Sequence, residues 1–96
     1  MRESEFQHQV IVEIKRRIPG AIVLKTDPGY LQGIPDLLIL TNKGWASLEC
    51  KCKEGAHKQP NQDYYVNRMN EMSYAAFIFP ENKEEILDDI QRAFGP

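Results

Sequence analysis

Twenty-one residues, Gly33 to Lys53 (GIPDLLILTNKGWASLECKCK), constrain what this chain can fold into more than any others. A turn at Gly33-Ile34-Pro35-Asp36 feeds an apolar run, Leu37 to Leu40, with the length and residue types of a buried strand. The run stops at Thr41-Asn42-Lys43-Gly44, whose Asn and Gly can supply the positive backbone dihedrals of a tight hairpin. A second strand, Trp45 to Lys53, is therefore expected to return beside the first. Side chains alternate along a strand, so Ser47, Glu49, Lys51 and Lys53 should project on a charged face and Ala46, Leu48, Cys50 and Cys52 on a core face.

The hairpin carries Asp36, at the start of one strand, toward Glu49 and Lys51 near the end of the other. Antiparallel neighbours lie roughly 5 Å apart, so two carboxylates and an ammonium can converge on one small volume. Like charges held that close raise one another's pKa unless a cation sits between them. A hard divalent ion such as Mg²⁺ fits that description, because it takes oxygen ligands and is commonly held by one or two carboxylates together with substrate phosphate oxygens. The chemistry this points to is hydrolysis of a phosphodiester.

Ninety-six residues, 42% hydrophobic and 27% charged, make a single soluble globular domain spanning 1–96. So short a chain has little apolar area to spare, and a dimer would help it. No apolar run approaches the ~20 residues of a membrane span, and the polar N-terminus with helically spaced apolar residues does not read as a signal peptide. A cytoplasmic protein is expected. Cys50 and Cys52, two residues apart on one strand, are poorly placed for a mutual disulfide, which suits a reducing compartment. A zinc site would need His8 and His57 to join them, so small buried thiols are the expectation.

A net charge of −2 looks wrong for a DNA-binding chain until it is divided. Residues 81–96 hold five acids against two bases, a balance of −3, which leaves residues 1–80 at +1. A bound divalent cation would turn the working face more positive still, the sign that phosphate contacts need.

The chain opens with an amphipathic helix in which Phe6, Val10, Ile11, Ile14 and Ile18 recur at helical spacing before Pro19-Gly20 stops it. Lys15, Arg16 and Arg17 end that helix, either as solvated cations matched to its dipole or as DNA contacts. Ala21 to Lys25 reads as a first, inner strand. The polar loop Thr26 to Gln32 runs straight into the Asp36 strand, so Tyr30 and Gln32 either touch substrate or merely connect. A helix from about Pro60 to Met72 is expected to carry Tyr65, Met69 and Met72 as its apolar stripe. Tyr74 to Phe79 is a last strand, central or covered on both sides. Asn82 with Glu85 forms a capping box for a final helix with Ile86, Leu87, Ile90 and Phe94 inward.

Pro35-Asp36 followed, after a hairpin, by Glu49-Cys50-Lys51 resembles the PD-(D/E)xK nuclease superfamily. With Pro28-Gly29 and Gly33-Ile34 ahead of the strand and Gln62 opening the next helix, the chain is similar, more narrowly, to the minimal stand-alone VRR-Nuc domains of phage and bacteria. The order helix, three strands, helix, strand, helix matches an α/β, restriction-endonuclease-like αβββαβ core plus a C-terminal helix. The resemblance adds that the sheet should be mixed, central and flanked by helices.

The resemblance also implies a site. Asp36, Glu49 and the backbone carbonyl of Cys50 would hold Mg²⁺ or Mn²⁺, with a helix-borne glutamate, Glu3 or else Glu5, completing it directly or through water. Lys51 would position or deprotonate the attacking water, or face the developing charge. Gln62, or failing it Gln59, would orient Lys51 or the water, and Lys53 and Lys58 would join Tyr30 and Gln32 in contacting DNA. The implied activity is a metal-dependent endonuclease leaving a 5′-phosphate, acting as a homodimer on branched DNA such as a four-way junction in a bacterial or phage-infected cell, without an organic cofactor. The rival is a non-catalytic nucleic-acid-binding or assembly subunit that keeps the fold without turnover, and a third reading is a partner in a larger restriction or repair complex.

Overall fold

The computed structural model describes residues 1–96. Helix α1 (Glu3–Arg17) leads into β1 (Ile22–Lys25), β2 (Leu37–Thr41) and β3 (Gly44–Cys50), followed by α2 (Gln62–Met72), β4 (Tyr74–Ile78) and α3 (Lys83–Phe94). The four strands form one sheet in the order β1-β2-β3-β4, antiparallel except for β4, which runs parallel to β3. Parallel neighbours need a crossover, and α2 supplies it. The mixed sheet flanked by helices is thus as expected. No helix is long and apolar enough to cross a membrane.

One face of the sheet meets α1 and α3. Phe6, Val10 and Ile14 from α1, and Leu87 and Ile90 from α3, close over Leu37, Ile39, Ala46, Leu48, Cys50 and Ile78. Burial of each of these larger side chains contributes roughly 1.5–3 kcal/mol. Arg17 ties the two helices together, donating to Asp88 at 2.7 Å and also to Glu84. It is therefore not a free, solvated cation at the helix end, and Arg16 pairs with Glu13. The other face, reached by the alternate residues, carries α2 over β3 and β4.

Several expectations need correction. Strand β1 is an edge strand with three of its four residues exposed, not an inner one. Strand β3 ends at Cys50, and Ala46 to Cys50 are all buried, so it has no charged open face. A strand central in the sheet and covered on both sides must bury both sets of alternate residues. Cys52 falls beyond the strand, where alternation no longer aims it, and both thiols are free. At the hairpin only Gly44 has positive φ (142°); Asn42 does not. Strand β4 is the second edge, half-covered by helices on both faces. Asn82 does not cap α3 with its side chain; it turns back to β4, accepting from the Phe79 N–H at 2.7 Å and donating to the Phe77 carbonyl at 3.2 Å. In α2 the buried residues are Gln62 and Val66, whereas Met72 is 61% exposed.

Candidate metal centre

The β2–β3 register sets Leu37 against Leu48. Carried two places further, the same register would set Pro35 against Cys50, but a proline has no N–H to offer the Cys50 carbonyl. The ladder ends there. The Cys50 N–H turns instead to the Asp36 side chain, donating to Oδ2 at 2.9 Å, which fixes that carboxylate at the mouth of the strand pair. Thr26 steadies the same corner, its Oγ1 donating to the Pro35 carbonyl at 2.6 Å and its N–H to the Asp36 carbonyl at 2.9 Å.

Glu49 lies at the end of β3 and is 1% exposed. Its Oε2 accepts from Gln62 Nε2 at 3.0 Å and lies 3.7 Å from Lys51 Nζ. Its Oε1 is buried with no hydrogen-bond partner. Such an orphaned carboxylate oxygen costs free energy unless something charged or hydrogen-bonding meets it. One carboxylate oxygen each of Glu3, Asp36 and Glu49 lies within 4.8 Å of the others, so three acids converge around this buried carboxylate.

The electrostatics follow from burial. Desolvation, and next the Asp36 charge, push the Glu49 carboxyl up to about 8; Lys51 pulls the other way and loses. Burial also raises Asp36, against the lowering effect of the Cys50 N–H. Without a cation the cluster favours being partly protonated. A divalent ion reverses that preference, and an all-oxygen donor set of carboxylates suits a hard one. The residues present therefore fit such an ion.

The remaining expected residues divide. Glu5 is turned away, its carboxylate taken by the Arg2 N–H and Nε at 3.3 and 3.2 Å, so Glu3 is the helix-borne acid of the group. Lys51 is buried and donates to the His57 carbonyl at 3.2 Å. Gln62 reaches Glu49 rather than Lys51, and its Oε1 accepts the Gln59 N–H at 2.9 Å. Gln59 thus enters through its backbone. Tyr30, Gln32 and Lys53 are exposed, and no contact joins them to the acids. Lys58 pairs with Asp63 at 2.9 Å and lies 4.5 Å from the centroid of the Phe77 ring.

Gly33 was missed as a positioning residue. At φ +91° it lies so close to α2 that a Cβ there would meet Asn61 Cβ at 2.6 Å and the Pro60 carbonyl oxygen at 2.7 Å. Asn61, the N-cap of α2, is itself left-handed at φ 71°. This backbone contact sets where α2 begins, and hence where Gln62 meets Glu49. Glycine two residues before a proline was the available signal.

No family model matches the sequence, and no curated protein matches it. Among solved structures, the chain superposes on one described as "VRR_NUC domain protein" with a TM-score of 0.72 at 18% identity, covering 99% of this chain and 91% of that one. A second, described as "VRR_NUC domain", gives a TM-score of 0.61 at 23% identity, covering 88% and 92%. The chain has the fold of these VRR_NUC domain structures over nearly its whole length.

Proposed function

We propose that this chain is a Mg²⁺- or Mn²⁺-dependent endodeoxyribonuclease. The observation that carries the reading is the buried, unpartnered Oε1 of Glu49 within a group of three converging carboxylates. Asp36, Glu49 and Glu3 hold the ion, with the Cys50 carbonyl, which Pro35 cannot engage, as a further oxygen donor. When bound, the ion offsets charge on the scissile phosphate and acidifies water. Gln62 holds the Glu49 carboxylate in one orientation. Lys51, its Nζ donating to the His57 carbonyl and 3.7 Å from Glu49, positions or deprotonates the attacking water or faces the charge developing on the phosphate. Water adds to phosphorus and the bond to the 3′ oxygen breaks, leaving a 5′-phosphate and a 3′-hydroxyl.

Lys53, Lys58, Tyr30 and Gln32 provide the outer contacts to the nucleic acid. DNA shape, rather than base sequence, is the basis of selection in this reading. Branched duplex, cut by the paired sites of a symmetric homodimer, is the substrate that suits it. The test is incubation with supercoiled plasmid and with a synthetic four-way junction in Mg²⁺, Mn²⁺ or EDTA. Metal-dependent nicking, faster on the junction, is the expected result. Binding without nicking in any metal would make the chain a non-catalytic nucleic-acid-binding subunit and defeat the proposal.

A further inference from the structure

Phe77 and Phe79 stand beside the carboxylate cluster without serving the core. The β3–β4 register sets Phe77 directly opposite Glu49. The ladder continues one step further, where the Lys51 N–H donates to the Ile78 carbonyl at 3.0 Å, so Phe79 falls beside Lys51. Glu49 and Lys51 project on one side of the sheet, as their 3.7 Å approach requires, and cross-strand neighbours share a face, so both phenylalanines lie on that side. Their rings are parallel to within 7°, with centroids 6.5 Å apart, and both are partly exposed. Neither belongs to the hydrophobic core or packs against it. Helix α2 begins at the level of Phe77, where Gln62 meets Glu49, and runs toward the Trp45 end, away from Phe79.

The edge of β4 is closed at these same two residues. Asn82 takes the outward backbone groups of both, accepting from the Phe79 N–H at 2.7 Å and donating to the Phe77 carbonyl at 3.2 Å. A strand adding to this edge would find those groups already occupied. The same two bonds hold the backbone under the rings in one conformation, so the aromatic pair is pre-arranged.

We propose that Phe77 and Phe79 form a stacking platform for an unpaired base of the DNA strand being cut, the base of a nucleotide next to the scissile phosphate. A nucleotide joins a planar π-system to an anion, and this corner joins parallel aromatic rings to cations: Lys51 neighbours Phe79 in the ladder, and Lys58 Nζ lies 4.5 Å from the Phe77 centroid. A base stacked on either ring lies parallel to the other, so the pair fixes one orientation. Stacking accepts every base, because each has a π-face, which agrees with selection by shape rather than sequence. A base still paired within a duplex cannot reach the rings, so the platform selects strands already opened, as at a branch point. The proposal rests on the nuclease reading for the identity of its ligand and goes beyond it in requiring an unpaired base.

The experiment is equilibrium binding of the full chain to a short single-stranded oligodeoxythymidylate and to an abasic strand of the same length and charge, followed by fluorescence anisotropy in EDTA so that neither strand is cut. Wild type should bind the base-bearing strand about tenfold or more tightly than the abasic one, the scale of one stacked base. Replacing both rings, Phe77→Leu with Phe79→Leu, keeps apolar side chains at positions outside the core, so the double variant should retain a native far-UV spectrum and cooperative melting. It should bind both strands within twofold of each other, whereas Phe77→Tyr with Phe79→Tyr, which keeps the rings, should retain the preference. Equal binding of the two strands by wild type, or an undiminished preference in the folded leucine variant, would overturn the proposal. Nothing is cut in this assay, so metal-dependent nicking succeeds or fails independently of its result.

Discussion

Gln62 donates to one oxygen of Glu49 at 3.0 Å and leaves the other oxygen buried and unpartnered. The amide thereby fixes the carboxylate within reach of Asp36 and Glu3, while its own carbonyl is anchored by the Gln59 N–H. A residue that orients a ligand without touching the ion commonly contributes 10–100-fold in metal affinity. Gln62→Leu should therefore raise the Mn²⁺ concentration for half-maximal cleavage by about that factor, with a smaller effect at saturating metal. A variant whose metal dependence matched wild type would remove Gln62 from the site.

The two candidate helix acids separate cleanly. Glu3 belongs to the carboxylate group, whereas Glu5 is held by Arg2 on the exposed surface. Glu3→Gln should lower cleavage by about tenfold or more, the scale of one lost charged interaction of 1.4 kcal/mol. Glu5→Gln should leave the rate within twofold, since an exposed pair of this kind contributes little. Initial rates on one nicked substrate decide the matter.

The acidic cluster should make the metal-free protein pH-sensitive. The folded Glu49 pKa, about 8, lies above the ordinary 4.5. A carboxyl raised on folding stabilises the native state fully below its unfolded pKa, and that contribution is lost as pH rises through the folded one. Asp36, also raised, acts in the same direction. In EDTA, melting temperature should fall between about pH 4.5 and 8, and Glu49→Gln should flatten the profile. Added Mg²⁺ should stabilise most at the alkaline end, where the carboxylates are already charged.

Gly33→Ala should cost about 1–3 kcal/mol, because the new methyl meets backbone and Cβ atoms of Pro60 and Asn61 at a positive φ. Urea denaturation measures this directly. Since Gly33 sets the start of α2, the variant should also bind metal more weakly while still folded.

The sequence carried the element order and the meeting of Asp36 with Glu49, because a hairpin fixes register locally and a two-residue turn leaves little room for slippage. It did not carry what covers each face. AIVLK has the composition of an inner strand, yet β1 lies at the edge with its outer residues open. Tyr65, Met69 and Met72 do form a stripe, but periodicity reports only that a helix has an apolar side, not whether its own chain supplies the cover. The partner of Gln62 was likewise invisible. Thirteen residues of separation and a left-handed Asn61 lie between the amide and Glu49, and local pattern cannot trace that path.

Calorimetric titration of Mn²⁺ into wild type and Asp36→Asn, followed by cleavage assays on the same samples, tests most directly whether Glu3, Asp36 and Glu49 hold a catalytic cation. Wild type should take up the ion with release of protons near neutral pH. The folded variant should lose both that binding and, by three or more decades, the cleavage rate. Unchanged Mn²⁺ uptake and near-wild-type cutting by Asp36→Asn would contradict the assignment of this carboxylate cluster as the metal centre.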